Sequence, residues 1–167
     1  MKEIDIKTEG IYKESDSFRR TREKAMLYLS YGDHTVRSMH NKLSENGFES
    51  DDINEVLKYL VERGYINEEL YFERFCNHCA HKKGYGRRRI EVMAKSKGFS
   101  RKTFTEMADI VFSKIDFYQI CFLQLSKMDA DLTDKKSREK AIASLVRKGF
   151  SLTEIKKAVS SIINKNY

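Results

Sequence analysis

Asn46-Gly47-Phe48, Lys97-Gly98-Phe99 and Lys148-Gly149-Phe150 recur at an interval of 51 residues, and the residues on either side recur in character with them. Five positions before each Phe stands Leu43, Ala94 or Leu145; five after it stands Ile53, Phe104 or Ile155. Self-similarity at a fixed period marks one supersecondary unit used several times, each copy burying its apolar face only against its neighbours. The chain reads as an internal repeat, and its function belongs to an extended surface rather than to one cleft.

The punctuation tells what each unit is. There is no proline, and the eight glycines fall between apolar-periodic stretches, as residues that end helices in a left-handed conformation do. After each Gly-Phe comes a helix-start residue (Ser50 or Asp51, Ser100, Ser151), and Ser151 with Glu154 has the spacing of a capping box. Beyond each cap the apolar residues keep the i, i+3, i+4, i+7 rhythm of one buried helical face, as in Ile53, Val56, Leu57 and Leu60. The same pattern read backwards predicts helices over 17–31, 35–46 and 51–63, then 68–83, 87–97 and 101–114, then 116–128, 135–148 and 152–164. The expected fold is all-α, three tandem three-helix repeats (17–66, 67–115 and 116–167) in an elongated, curved array, after a loose polar arm over 1–16.

A chain of 167 residues is of one-domain length. No apolar run approaches the roughly 20 residues that span a bilayer, and Met1 to Gly10 alternates charge where a signal peptide would be apolar. Three cysteines, Cys76, Cys79 and Cys121, do not suggest a disulfide framework. The expectation is a soluble protein of the cytoplasm.

Cys76-Asn77-His78-Cys79-Ala80-His81 looks on paper like a zinc site. On a helix, with residues about 100° apart, Phe72, Phe75, Cys76 and Cys79 share one face while Arg74, His78 and His81 point the other way. The four candidate ligands do not converge, and the cysteines read as core. There is no phosphate-cradling glycine loop and no nucleophile elbow. Asp51-Asp52 and Glu68-Glu69 fall at helix starts, where carboxylates favour the dipole and read as capping residues. Tyr85, between Gly84 and Gly86, reads as an exposed aromatic in a helix connection. No catalytic residue is assigned; this is a binding protein, without metal or cofactor.

Charge places the binding surface. The net charge is +7, and residues 82–102 alone carry nine basic residues and one acidic one. Lys82-Lys83 end one helix, and Arg87-Arg88-Arg89 open the next. Its buried stripe of Ile90, Met93 and Ala94 leaves Arg88 and Lys95 on the outer side, with Glu91 neutralising part of that face. Cations at a helix N-terminus oppose its dipole, so three arginines there should weaken the fold unless an anion arrives. Tyr85 offers a stacking plane beside them. Lys135, Lys136 and Arg138 form a second basic run in the equivalent helix of the third repeat. Basic helices on successive repeats fit contact with phosphates along a polymer. First-turn arginines are expected to make little of the core, so that removing all three should leave the fold intact.

The stretch Ala25-Met26-Leu27-Tyr28-Leu29-Ser30-Tyr31-Gly32-Asp33-His34-Thr35, with Lys42-Leu43 and Gly47-Phe48, resembles the first repeat of the RecX family. Gly64-Tyr65-Ile66-Asn67-Glu68-Glu69-Leu70-Tyr71 resembles that family's junction between repeats. Lys83-Gly84, the Arg run ending at Ile90, Lys97-Gly98-Phe99 and Arg147-Lys148-Gly149-Phe150-Ser151 resemble its later signatures. The likeness covers about residues 21–163. It departs at Phe72, where the family usually has Ala, at Glu68 for a common Asp, and at Arg87 to Arg89, a stretch that often contains proline.

The resemblance implies non-enzymatic repeats related to helix-turn-helix units that bind the RecA filament on single-stranded DNA. It also implies inhibition of RecA's ATPase, strand exchange and coprotease activities, and thus a place in DNA repair. The expected partners are the RecA filament and single-stranded DNA, with no membrane and no cofactor, and the chain is expected to be a monomer. The expected contacts are Lys82, Lys83, Tyr85, Arg87, Arg88, Arg89, Lys95, Arg101 and Lys102, supported by Lys135, Lys136 and Arg138. The alternatives are a helical-repeat nucleic-acid binder unconnected with RecA and a protein-only adaptor.

Overall fold

The structure is a computed structural model and describes residues 15–165. Among the described residues every regular element is helical: α1 Asp16–Tyr31, α2 Val36–Glu45, α3 Ser50–Glu62, α4 Glu68–Asn77, α5 Arg87–Lys97, α6 Arg101–Ser113, α7 Phe117–Ser126, α8 Lys135–Arg147 and α9 Leu152–Lys165. The predicted ends agree within two residues except in the fourth helix. Nearly all of the expected 1–16 arm lies outside the described residues. Its last two positions belong to α1, which Asp16 opens and Ser15 caps by accepting the Phe18 N–H at 3.0 Å.

Local hydrogen bonds explain why the ends are so regular. Asn67, Ser100, Asp116 and Asp134 each accept an amide N–H from the first turn of the following helix. Ser151 and Glu154 form the capping box, Ser151 N–H to Glu154 Oε2 at 2.7 Å and Glu154 N–H to Ser151 Oγ at 3.2 Å. The first repeat is different. The N-cap of α3 is Glu49, which makes no side-chain cap bond, so neither Ser50 nor Asp51 acts as the cap. Asp52 is engaged elsewhere, accepting the Ser17 hydroxyl from α1.

The chain divides into two compact units. One comprises residues 15–32 and 39–65, where Phe18, Ala25, Met39, Leu43, Ile53, Val56, Leu57 and Leu60 are buried. Thr21 is buried among them, its hydroxyl satisfied by Ser17 O at 3.0 Å. The other comprises 33–38 and 66–165, where α4 to α9 share one core running from Phe72 to Val159. Phe72 is fully buried there, edge-on to Phe99 and Phe104 with ring centroids 5.2 and 5.8 Å away. Such pairs add roughly 0.5–1.5 kcal/mol beyond burial. The second core is organised around this large ring.

The fourth helix was expected to run to 83. It is α-helical only to Asn77, and His78–Lys82 is a π-turn, with Lys83 N–H donating to His78 O at 3.2 Å. The wider turn brings the adjacent Cys79 and Ala80 both into the core, while His78 and His81 stay exposed. Among the described residues, no three His, Cys, Asp or Glu side chains are grouped as metal ligands. Burial, with a smaller effect of Cys79, pushes the Cys76 thiol up to about 12. Burial, with a smaller effect of Glu154, does the same to Cys121, so both thiols stay protonated at neutral pH.

The repeated glycines have nearly one conformation, with φ of +80° at Gly47, +90° at Gly98 and +89° at Gly149, as a helix stop requires. Phe99 and Phe150 are buried, whereas Phe48 is only half-buried. No helix among the described residues is long and apolar enough to cross a membrane.

Candidate nucleic-acid interface

The arginine-rich start of α5 is part of a joint. Gly86 N–H donates to Lys148 O at 2.8 Å, and Arg88 N–H to Gly149 O at 3.2 Å. The Arg89 guanidinium donates to Arg147 O at 3.2 Å. Free N–H groups at the start of α5 thus meet free carbonyls at the end of α8, two helix ends of opposite partial charge. The approach is so close that a side chain at Gly86 would collide with the Gly149 carbonyl, and one at Gly149 with the Arg89 backbone.

Two of the three arginines there already have partners within the fold. Arg87 donates to Glu91 Oε1 at 2.8 Å and to Asp109 Oδ1 at 3.1 Å, and its guanidinium lies 4.9 Å from the centroid of the Phe112 ring. The hydrogen bond to Glu91 is the largest cause of its raised pKa. Arg89 lies 4.2 Å from the centroid of Tyr85, so that ring is half-buried and covered rather than an exposed stacking plane. Arg87 and Arg89 are thus engaged within the fold, though all three arginines remain exposed. Arg88 is exposed, and its side chain makes no polar contact among the described residues.

The same joint exists 51 residues earlier, with different chemistry. Thr35 Oγ1 donates to Lys97 O at 3.4 Å, as Gly86 donates to Lys148, and a Cβ on Gly98 would lie 3.3 Å from Thr35 Oγ1 and from Arg37 Cδ. The Glu68 carboxylate closes it, accepting Val36 N–H at 2.9 Å, Ser100 N–H at 3.1 Å and the Thr103 hydroxyl at 3.0 Å. Glu68 therefore satisfies the starts of α2 and α6, while Asn67 caps its own helix. Thr35 and Glu68 were not among the expected functional residues. The signal for Thr35 was its place one period before Gly86.

The remaining cations divide clearly. Arg138 is half-buried and turned inward, donating to Leu132 O at 2.8 Å and Thr133 O at 3.3 Å to close the connection before α8. Lys95 lies 5.6 Å from the centroid of the Phe104 ring. Lys82, Lys83, Arg88, Arg101, Lys102, Lys135 and Lys136 are exposed, with no hydrogen bond or ion pair from their side chains among the described residues. They occupy the end of the π-turn and the first turns of α5, α6 and α8. Lys136 also lines a shallow cleft of about 440 Å³ with Asp129, Asp134, Ser137 and Lys140. Residues 66–165 carry +9, against −1 for 15–65, so the excess positive charge lies in the second unit.

Comparison with known proteins agrees with this architecture. Residues 22–60 match the family model described as RecX, first three-helix domain. The chain is 26% identical over 152 residues to the regulatory protein RecX of Lactococcus lactis subsp. cremoris (strain MG1363), an alignment covering 88% of this chain and 56% of the relative. It thus spans little more than half the length of that relative. It is also 26% identical over 143 residues to the regulatory protein RecX of Vibrio parahaemolyticus serotype O3:K6, covering 84% of this chain and 90% of the relative. The crystal structure of RecX from Lactobacillus salivarius superposes with a TM-score of 0.75 at 21% identity, over 87% of this chain and 96% of that one, which shows a shared fold. The chain is thus similar to RecX proteins, in its first three-helix domain by the family model and along most of the helical repeat by alignment.

Proposed function

We propose that this protein is a non-catalytic, cytoplasmic regulator that binds the RecA filament on single-stranded DNA and inhibits RecA's ATPase, strand exchange and coprotease activities. It would do so as an array of three repeats, 17–66, 67–115 and 116–167. The observation that carries the reading is the set of exposed, unpaired cations on the π-turn, α5, α6 and α8 of one unit, in a chain whose residues 22–60 match the RecX first-domain model. Lys82, Lys83, Arg88, Arg101 and Lys102 would meet DNA phosphates or acidic filament surfaces, with Lys135 and Lys136 in support. Tyr85, Arg87, Arg89 and Arg138 would act indirectly, by holding the helices that present these cations. Occupancy along the filament would bridge protomers and favour its loss.

Titration into RecA-driven ATP hydrolysis on single-stranded DNA tests this, with substoichiometric inhibition as the expected result. If phosphates are contacted, log affinity falls by about 0.7 per phosphate for each unit of log salt. Tight DNA binding with RecA hydrolysis untouched would instead identify a nucleic-acid binder outside recombination. Inhibition with no salt dependence would identify a protein-only interface.

A further inference from the structure

Two of the three Gly-Phe pairs are covered by the start of another helix: Gly98 by that of α2 and Gly149 by that of α5. Gly47 has the same backbone. Phe48 N–H returns to Leu43 O at 3.3 Å as Phe150 N–H returns to Leu145 O at 3.2 Å, and Gly47 N–H reaches Ser44 O at 3.0 Å as Gly149 N–H reaches Val146 O at 2.9 Å. Yet among the described residues nothing lies within 4 Å of where a Cβ on Gly47 would stand. Among the described residues no donor reaches the carbonyls of Asn46 or Gly47. The acceptor end of the joint is complete here, and open.

Its surroundings say what would fit. Both built joints place a small or hydroxyl-bearing residue at the point of approach, Thr35 or Gly86, and arginine beside the glycine, Arg37 or Arg89. Around Gly47 the exposed residues include Glu45, Glu49 and Asp51, which add negative charge to the carbonyl end of α2. A second copy of this chain is a poor occupant. One period after Gly86 stands Ser137, which lies inside the first turn of α8 with its N–H already held by Asp134 Oδ2 at 2.7 Å.

We infer that Gly47-Phe48 with its acidic rim is a docking site for the first turn of a helix from another protein, one that begins with Gly, Ser or Thr and continues with arginines. The occupant would donate its free N–H groups to the Asn46 and Gly47 carbonyls and set its arginines against Glu45 and Glu49, while Phe48 became covered. The site lies in the first unit, away from the cations of the proposed filament contact in sequence, and it does not depend on that proposal.

A synthetic peptide of residues 84–98, stapled through positions 92 and 96 so that its helix persists, supplies the probe. It is titrated into the isotopically labelled full chain and followed by amide chemical shifts. Saturable shifts centred on residues 45–50 are expected. Glu45→Lys with Glu49→Lys in the protein should weaken binding by roughly threefold or more, and Gly86→Val in the peptide should abolish it. Absence of saturable shifts up to about 1 mM peptide, shifts centred elsewhere, or binding indifferent to both sets of changes would overturn the inference.

Discussion

At Gly98 the start of α2 is held through the carboxylate of Glu68, whereas at Gly149 the start of α5 meets the end of α8 backbone to backbone. The two joints occupy equivalent places one period apart. Position 103 accounts for part of the difference. In the third repeat Glu154 reaches back to Ser151 N–H, completing its own capping box. In the second repeat the same position is Thr103, which is too short to do this, and Glu68 takes the Ser100 N–H from outside. A donor left unmet in one helix has become an attachment point for another. The side-chain joint has room to adjust, and the backbone joint has none.

That contrast orders the expected effects of mutation. The largest follow from burial of the repeated phenylalanines. Phe99→Ala should destabilise the second unit by roughly 3–5 kcal/mol. Phe48→Ala, at the half-buried copy, should cost less than about 2 kcal/mol in the first unit. Denaturant melting of each variant measures the gap, and equal losses would contradict the open state of the first Gly-Phe.

The glycines test the joints directly. Gly149→Ala should cost about 3 kcal/mol, because a left-handed alanine costs roughly 1–2 kcal/mol and the methyl also strikes the Arg89 backbone. Gly98→Ala meets the movable side chains of Thr35 and Arg37, so about 1–2 kcal/mol is expected, as for Gly47→Ala in open space. If calorimetry ranks Gly98 above Gly149, the backbone joint is not the tighter of the two.

Glu68→Ala leaves two amides and a hydroxyl without their acceptor. A loss of about 1–3 kcal/mol should follow, accompanied by faster hydrogen exchange at Val36 and Ser100. Unchanged exchange at those amides would remove Glu68 from the joint. Arg87→Ala should cost less than about 1 kcal/mol, since its carboxylate pairs are largely exposed. Arg88→Ala should stay within about 0.5 kcal/mol of wild type. The binding effects should run the other way: with Lys82 and Lys83, Arg88 should dominate the loss of affinity for single-stranded DNA or for the RecA filament. A chain with Arg87→Ala that keeps its stability but loses binding would return that arginine to the contact surface.

Much of this fold was legible because its determinants are local. Helical rhythm is set by contacts three and four residues away, and helix ends by a cap such as Ser100 or Ser151 within three. The π-turn at His78–Lys82 was not legible, because it takes one residue out of register without any change in composition. The stretch where positive charge accumulates was legible, but its paired and unpaired members could not be sorted. Arg87, Arg88 and Arg89 are chemically identical neighbours, and among the described residues only Arg88 is unpaired.

By itself the sequence determined the all-helical repeat, its 51-residue period, nearly every helix boundary and the place where positive charge accumulates. Tertiary structure alone decided which charges are available. Arg89 finds the carbonyl of Arg147, 58 residues away, Arg87 finds Asp109, 22 away, and Glu68 gathers donors 32 and 35 away. Backbone conformation and apolar period act over one helical turn and can be read along the chain. A side chain's electrostatic partner is whatever the fold brings within about 3 Å, and sequence distance does not encode that.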